Sequence, residues 1–371
     1  MKKAISVLLS CAMVMSMTAC GGGAAKPAET AATTAQAAAP ETSAEKEDAA
    51  GEKEEGSEAA GQADMGEELH FKLAENQPDG NPVTEGMKMF AELAKEYTGG
   101  TVNIDVYPNA ALCDEASSID QVQMGTLDFS RVNTNTMAPV IDIFGVFAMP
   151  YLFSSTEQKY KALDGEAGQA VLSALSDYNM VGLDYYEAGS RCFYTVNKPI
   201  RSVADLKGMK FRVQPTEVAI SMVQALGAEA TPMEYGEVFQ GLQTGIVDGA
   251  ENDFVSYFTS GHYEVAKYYS LDGHMAPPAL LICSQAAWDK MSDPQKEGVI
   301  KASKEAAKWQ RQAMQDFQEE SRAKCEEAGC EIIEVDVKEF QDAVASVYDE
   351  YPQYKEAVSY THLTLPTSAS V

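Results

Sequence analysis

The stretch DLKGMKFRV, Asp205 to Val213, decides how this chain is read. Its last four residues, Lys210, Phe211, Arg212 and Val213, alternate polar and apolar with the period of a half-buried strand. Just upstream, RCFYTVN (191–197) reads as another strand and SVADLKG (202–208) as a short turn of helix closed by a glycine. Downstream, TEVAISMVQALG (216–227) has helical spacing, followed by a turn at ATPM (230–233) and a helix EYGEVFQGLQTG (234–245). A short apolar strand at Ile246 and Val247 then enters DGAEN, and PALLIC (278–283) reads as a buried strand. The same rhythm occupies the earlier part of the chain. HFKLAE (70–75) reads as a strand, and a helix follows in which Val83, Met87, Phe90, Leu93, Ala94 and Tyr97 share a face, ending at Gly99 and Gly100. TVNIDVYP (101–108) is a strand, DEASSIDQVQMG (114–125) a helix and TLDFSRV (126–132) a strand; helices run through Asp177, and MVGLDYYEAG (180–189) closes the unit as a strand. Strands alternating with helices predict an α/β protein with parallel sheets. In open sheets of this kind ligands sit beyond the carboxyl ends of the strands, which makes the loops at Asn76, Asp114 and Asn133 candidate contact points.

The length of 371 residues exceeds what a single core usually serves, so two lobes are expected. Between Val299 and Ala328 there is neither Pro nor Gly, which predicts one long helix able to run along both. With 28 Lys and Arg against 56 Asp and Glu, the formal charge is -28, which argues against a nucleic-acid partner. One local basic pocket can still oppose the global field and hold a small anion.

The first twenty residues, MKKAISVLLSCAMVMSMTAC, have the basic start, apolar middle and small-residue end of an export signal. Met17-Thr18-Ala19-Cys20 resembles a bacterial lipobox, which would make Cys20 the lipid-bearing first residue of a protein held outside the cell. From there to residue 66 the chain lacks aromatic residues and reads as an acidic tether. No later stretch is uniformly apolar over the length of a bilayer, so attachment is expected through the anchor alone. Five cysteines remain: Cys113, Cys192, Cys283, Cys325 and Cys330. They form no metal-binding spacing and read as small buried hydrophobes, although Cys325 and Cys330 are near enough in sequence to bridge. The last stretch, SYTHLTLPTSASV (359–371), lacks helical periodicity, resembles translated adaptor sequence and is set apart as a non-native tail.

Catalysis finds little support. There is no G-x-S-x-G elbow, HExxH or phosphate-binding glycine loop, and the four histidines have no metal-like spacing, so no enzyme activity, metal or cofactor is expected. Binding is better served. Arg212 in its strand can lie on a solvated face, pair with an internal carboxylate or wait for an external anion, and Arg191 at the start of the neighbouring strand has the same choices. If both strands end at one cleft, two guanidiniums converge, each matching a carboxylate with a planar fork. Asn252, after the DG turn, can cap that turn or donate to a carboxylate. Tyr235 can wall a pocket or fill a core, and Arg131 with Asn133 could serve either sugar hydroxyls or a second carboxylate.

GSRCFYTVNKPIRSVADLKGMKFRV (189–213) and ALGAEATPMEYGEVFQGLQTGIVDGAEN (225–252) together resemble the extracytoplasmic solute-binding proteins of TRAP transporters, the DctP-like family, with similarity from about Leu69 to Val358. VFAMPYLFSSTEQ (146–158) looks like the family's apolar-Pro-Tyr-Leu-Phe segment. The resemblance implies a two-lobed periplasmic-binding-protein-like clamp with exchanged strands and a long helix spanning both lobes, lobe 1 from 67–188 and 278–316, lobe 2 from 189–277 and 317–358. It also implies that Arg212 takes a ligand carboxylate, that Arg191 and Asn252 complete its shell, and that Tyr235 walls the pocket. Asn76, Asp114 and Asn133 would reach the distal part of the ligand; Asn133 stands where sialic-acid-binding members carry a Glu, which weakens a sialate assignment. The implied ligand is a small organic acid, a sugar acid such as a uronate or a C4-dicarboxylate. The implied partners are membrane permease subunits, with the protein acting as a monomer. A ligand-sensing partner of a membrane receptor and, more remotely, a surface hydrolase are the alternatives.

Overall fold

The computed structural model describes residues 65–363. The export signal, Cys20 and nearly all of the tether lie outside the described residues, as does the tail beyond Leu363. The strands are β1 Leu69–Ala74, β2 Val102–Tyr107, β3 Phe129–Asn133, β4 Met180–Tyr186, β5 Cys192–Thr195, β6 Lys210–Val213, β7 Glu229–Pro232, β8 Gly249–Asn252, β9 Tyr268–Ser270, β10 Ala279–Ser284 and β11 Glu331–Ile333. They form two sheets, ordered β2-β1-β3-β10-β4 and β11-β9-β5-β8-β6-β7. The chain therefore leaves the first sheet after β4 and returns to it at β10, exchanging strands between the two halves.

Both sheets are mixed, which corrects the expectation of parallel ones. β1 runs parallel to β2 and β3, and β6 to β7 and β8, as helical crossovers require. β10 instead runs antiparallel to β3 and β4, and β5 to β8 and β9. These are the strands that follow the two crossings, where the chain enters a sheet directly from the other half with no helix to turn it round. ATPM is also an edge strand rather than a turn; Pro232 is tolerated there because its missing N–H would face no neighbour.

The two crossings pair with each other, Arg191 N donating to Met275 O at 2.7 Å. Their support is the helix Asp293–Glu327, whose 35 residues extend about 52 Å at 1.5 Å per residue. Ser292 and Gln295 close a capping box at its start. It packs on the helix Pro82–Tyr97 of the first half and on Phe254–Thr259 of the second. Midway, the Gln310 amide holds both backbone groups of Glu187 in the first crossing, accepting from N and donating to O, each at 2.8 Å. Among the described residues no helix is long and apolar enough to cross a membrane.

The segment after residue 337 touches both halves. Val203 N donates to Glu339 Oε1, while the hydroxyls of Tyr348 and Tyr354 reach back to the carbonyls of Pro150 and Asp142. Its last helix, Lys355–Leu363, runs through the first five residues of the stretch read as lacking helical periodicity. Cys113, Cys192, Cys283, Cys325 and Cys330 are all free thiols, and the last four are buried.

Candidate functional site

Alternation along β6 settles where Arg212 goes. Phe211 and Val213 enter the largest apolar cluster, so Arg212 emerges on the opposite face of the strand. There it lines a narrow cavity between the halves, together with Arg191, Asn252 and Tyr235 from the second half and Asn76, Glu115, Arg131 and Asn133 from the first. Three hydrogen bonds bridge the halves around it: Asn135 Nδ2 to Gln214 Oε1 at 2.8 Å, Asn81 Nδ2 to Thr259 Oγ1 at 3.0 Å, and Gln77 Nε2 to Ser256 Oγ at 3.4 Å.

The three arginines of this cavity differ in one respect. Arg212 is 3 % exposed, yet its guanidinium makes a single hydrogen bond, from Nε to Met233 O at 3.0 Å. Among the described residues it has no carboxylate within ion-pair distance, and the Tyr235 ring lies 5.9 Å from Cζ. Burial lowers its pKa, and Arg191 lowers it further against a partial offset from Glu251. Arg191 is in the opposite state. Nε and Nη2 engage the Glu251 carboxylate, Nη2 also donates to Glu251 O at 2.7 Å, and Nη1 donates to Asn252 Oδ1 at 2.7 Å. Burial would lower the Arg191 pKa, but Glu251 overrides it and raises it. Arg131 is likewise matched: Nε donates to Glu75 Oε2 at 2.7 Å, and Nη2 to Glu75 Oε1 and Asn76 Oδ1.

Glu251 anchors a further chain of charges beneath the cavity. Burial alone would lift its carboxyl, but Arg191 and His274 bring it down to about 2. For His274 burial works against the charged ring, but Asp272, 2.6 Å from Nδ1, and Glu251 outweigh it and raise the ring to about 9. The ring therefore stays protonated and shares the neutralisation of Glu251.

Asn252, at the end of β8, accepts on Oδ1 from Arg191 Nη1 and from Asp253 N at 3.0 Å. Two donors on one oxygen fix the amide, leaving Nδ2 as a donor with no partner among the described residues. Tyr235 is held by its hydroxyl to Ser260 Oγ at 2.6 Å. Asn76 Nδ2 donates to Glu115 Oε2 at 2.8 Å, and Asn133 gives its N to Glu115 Oε1 and its Nδ2 to Oε2.

Asp114 lies beside this cavity and does not line it. It is exposed, caps the helix Glu115–Gln123 through Ser117 N at 2.7 Å, and faces an outer cleft rather than the central cavity. The carboxylate that lines the cavity is its neighbour Glu115, buried to 6 % exposure, because N-capping turns one side chain back over the helix start and sends the next inward. Sequence reasoning also passed over Glu75 and Glu251, the partners of two of its arginines. Each immediately precedes a residue it did select or lies beside it, in AEN and GAEN.

Comparison with known proteins agrees with this architecture. Residues 73–354 match the family described as DctP, bacterial extracellular solute-binding protein, family 7. A solute-binding protein of Chromohalobacter salexigens is 37% identical over 277 residues, covering 74% of this chain and 82% of its own. Among solved structures, a TRAP periplasmic solute-binding protein from Xanthobacter autotrophicus with bound β-D-galacturonate is 37% identical with a TM-score of 0.77, covering 80% of this chain and 100% of its own. Another from Pseudomonas putida with bound D-glucuronate is 35% identical with a TM-score of 0.78, covering 81% and 98%. These relatives are solute-binding proteins of transporters and not enzymes, and this chain, a two-lobed α/β clamp, belongs with them to the DctP family of extracellular solute-binding proteins.

Proposed function

We propose that this protein captures a sugar acid of the hexuronate class outside the cell and delivers it to the membrane permease of a TRAP transporter. It would do so as a monomer held to the membrane by a lipid on Cys20. The carrying observation is a buried guanidinium that has no carboxylate among the described residues, Arg212, in a cavity whose other two arginines are already matched. The ligand carboxylate docks on the two free Nη groups of Arg212, with Asn252 Nδ2 and the remaining Nη1 hydrogen of Arg191 completing its shell, and Tyr235 packs alongside. Asn76, Asn133 and Arg131 face the rest of the ligand. Asp114 has no part in the central cavity. Closing the halves removes water from the ion pair and strengthens it.

The alternative of a C4-dicarboxylate requires a second available cation, and Arg131, the candidate for that role, is held by Glu75. Relatives with bound galacturonate and glucuronate favour the sugar acid. A thermal-shift panel of uronates, aldonates, dicarboxylates and keto acids tests the reading, since a ligand at 100 times its Kd stabilises by about 2.7 kcal/mol. The expected result is a clear upward shift with D-glucuronate or D-galacturonate. A panel in which only dicarboxylates or keto acids raise the melting temperature overturns it.

A further inference from the structure

We infer that Glu115 is a specificity-determining residue that admits a hydroxylated end of the ligand and rejects a second carboxylate; this rests on the sugar-acid reading above. On the wall supplied by the first half, Arg131 is the one cation, and it faces two carboxylates, Glu75 and Glu115, the latter 3.9 Å from Nη1. Neither glutamate has another cationic partner among the described residues, so this wall carries one net negative charge. Its hydrogen-bonding groups point the same way. Among the described residues, Glu115 Oε1 accepts only from Asn133 N, Asn133 Oδ1 accepts from nothing, and Arg131 Nη1 makes no hydrogen bond. A hydroxyl both donates and accepts, so it suits a wall offering two acceptors beside one donor. A carboxylate only accepts. It would bond Arg131 while lying against Glu115, and the repulsion between two buried anions a few ångströms apart outweighs what an already neutralised guanidinium can return. Across the cavity Glu234 reports the same field: burial raises its pKa, and Asp114 and Glu115 raise it further. Asn76 and Asn133 hold Glu115 in place through three hydrogen bonds, so it cannot swing aside without leaving them unpaired.

The test is isothermal titration of the whole protein with D-glucuronate, D-glucarate and the monoamide of D-glucarate, each also with the variant Glu115→Gln. The diacid and its monoamide match in size and shape and differ by one charge. The expected result is that wild type binds D-glucuronate, binds the monoamide at least tenfold more tightly than D-glucarate, and that Glu115→Gln narrows this gap to about threefold or less. Wild type that binds the diacid and the monoamide equally overturns the selector without needing the variant, as does a folded Glu115→Gln protein with an unchanged gap. Both open-chain ligands failing alike while D-glucuronate binds shows discrimination by shape, which also overturns it. A protein that binds none of the three and not D-galacturonate either overturns the sugar-acid reading itself and the selector with it; one that binds D-galacturonate alone overturns the selector only.

Discussion

Replacing Arg212 by methionine separates binding from folding. Arg212 is 3 % exposed, and its guanidinium donates once to Met233 O and has no carboxylate partner among the described residues. In the empty protein it is therefore a desolvated charge only partly compensated, with no ion pair of its own, and burial depresses its pKa accordingly. Arg212→Met keeps most of the apolar volume and removes the charge, so the empty protein should melt at the same temperature or higher. Binding should suffer. A ligand carboxylate on the two free Nη groups makes two charge-assisted hydrogen bonds, each worth about 1.5–3 kcal/mol. Their loss comes to roughly 3–6 kcal/mol, or about 10²- to 10⁴-fold in Kd. Calorimetric titration with D-glucuronate and differential scanning of the empty protein read the two quantities separately. Affinity within tenfold of wild type, or a fall in melting temperature as large as loss of a buried ion pair produces, would refute the argument.

The neighbouring arginine should behave oppositely: Arg191→Met strands the Glu251 carboxylate in a buried site, which typically costs about 3–5 kcal/mol, so its melting temperature should fall sharply before any ligand is added. The charge chain beneath the cavity also sets a pH window. Glu251, brought to about 2 in the fold from an ordinary 4.5, contributes stability above pH 4.5 that is lost as pH falls towards 2. His274, raised to about 9 from 6.5, contributes fully below pH 6.5 and less as pH rises through 9. The melting temperature should therefore be highest between these limits and decline on the alkaline side, and His274→Gln should flatten that alkaline decline in a pH series. At Gly189, φ is +77° and an added Cβ would lie 2.3 Å from Asp253 Cβ, so Gly189→Val should shift the first crossing and lower both melting temperature and uronate affinity.

Much of the fold was legible in local pattern. The alternation in KFRV, the helical spacing from Val83 to Tyr97 and the run without Pro or Gly after Val299 each depend on neighbours in sequence, and each appears as expected. The short strands β7, β9 and β11, the first and last of them at the sheet's edges, were not legible. They are three or four residues long and owe their pairing to partners elsewhere in the chain. Strand direction was misread for the same reason, because it depends on which sheet the chain enters after a crossing. Glu115 was not picked out because sequence marks a helix start without saying which of two adjacent acids turns inward.

By itself the sequence determined the longer helices and strands, the family and the set of arginines able to meet an anion. Which of those arginines keeps its charge available was decided only in three dimensions. Glu75 lies 56 residues from Arg131 and Glu251 lies 60 from Arg191, and they meet because strands of one sheet bring them side by side. Among the described residues no such acid reaches Arg212: its partner on β7 is Thr231, and Glu251 on β8 is taken by Arg191. Coulomb energy depends on distance through space, and spacing along a chain does not record it.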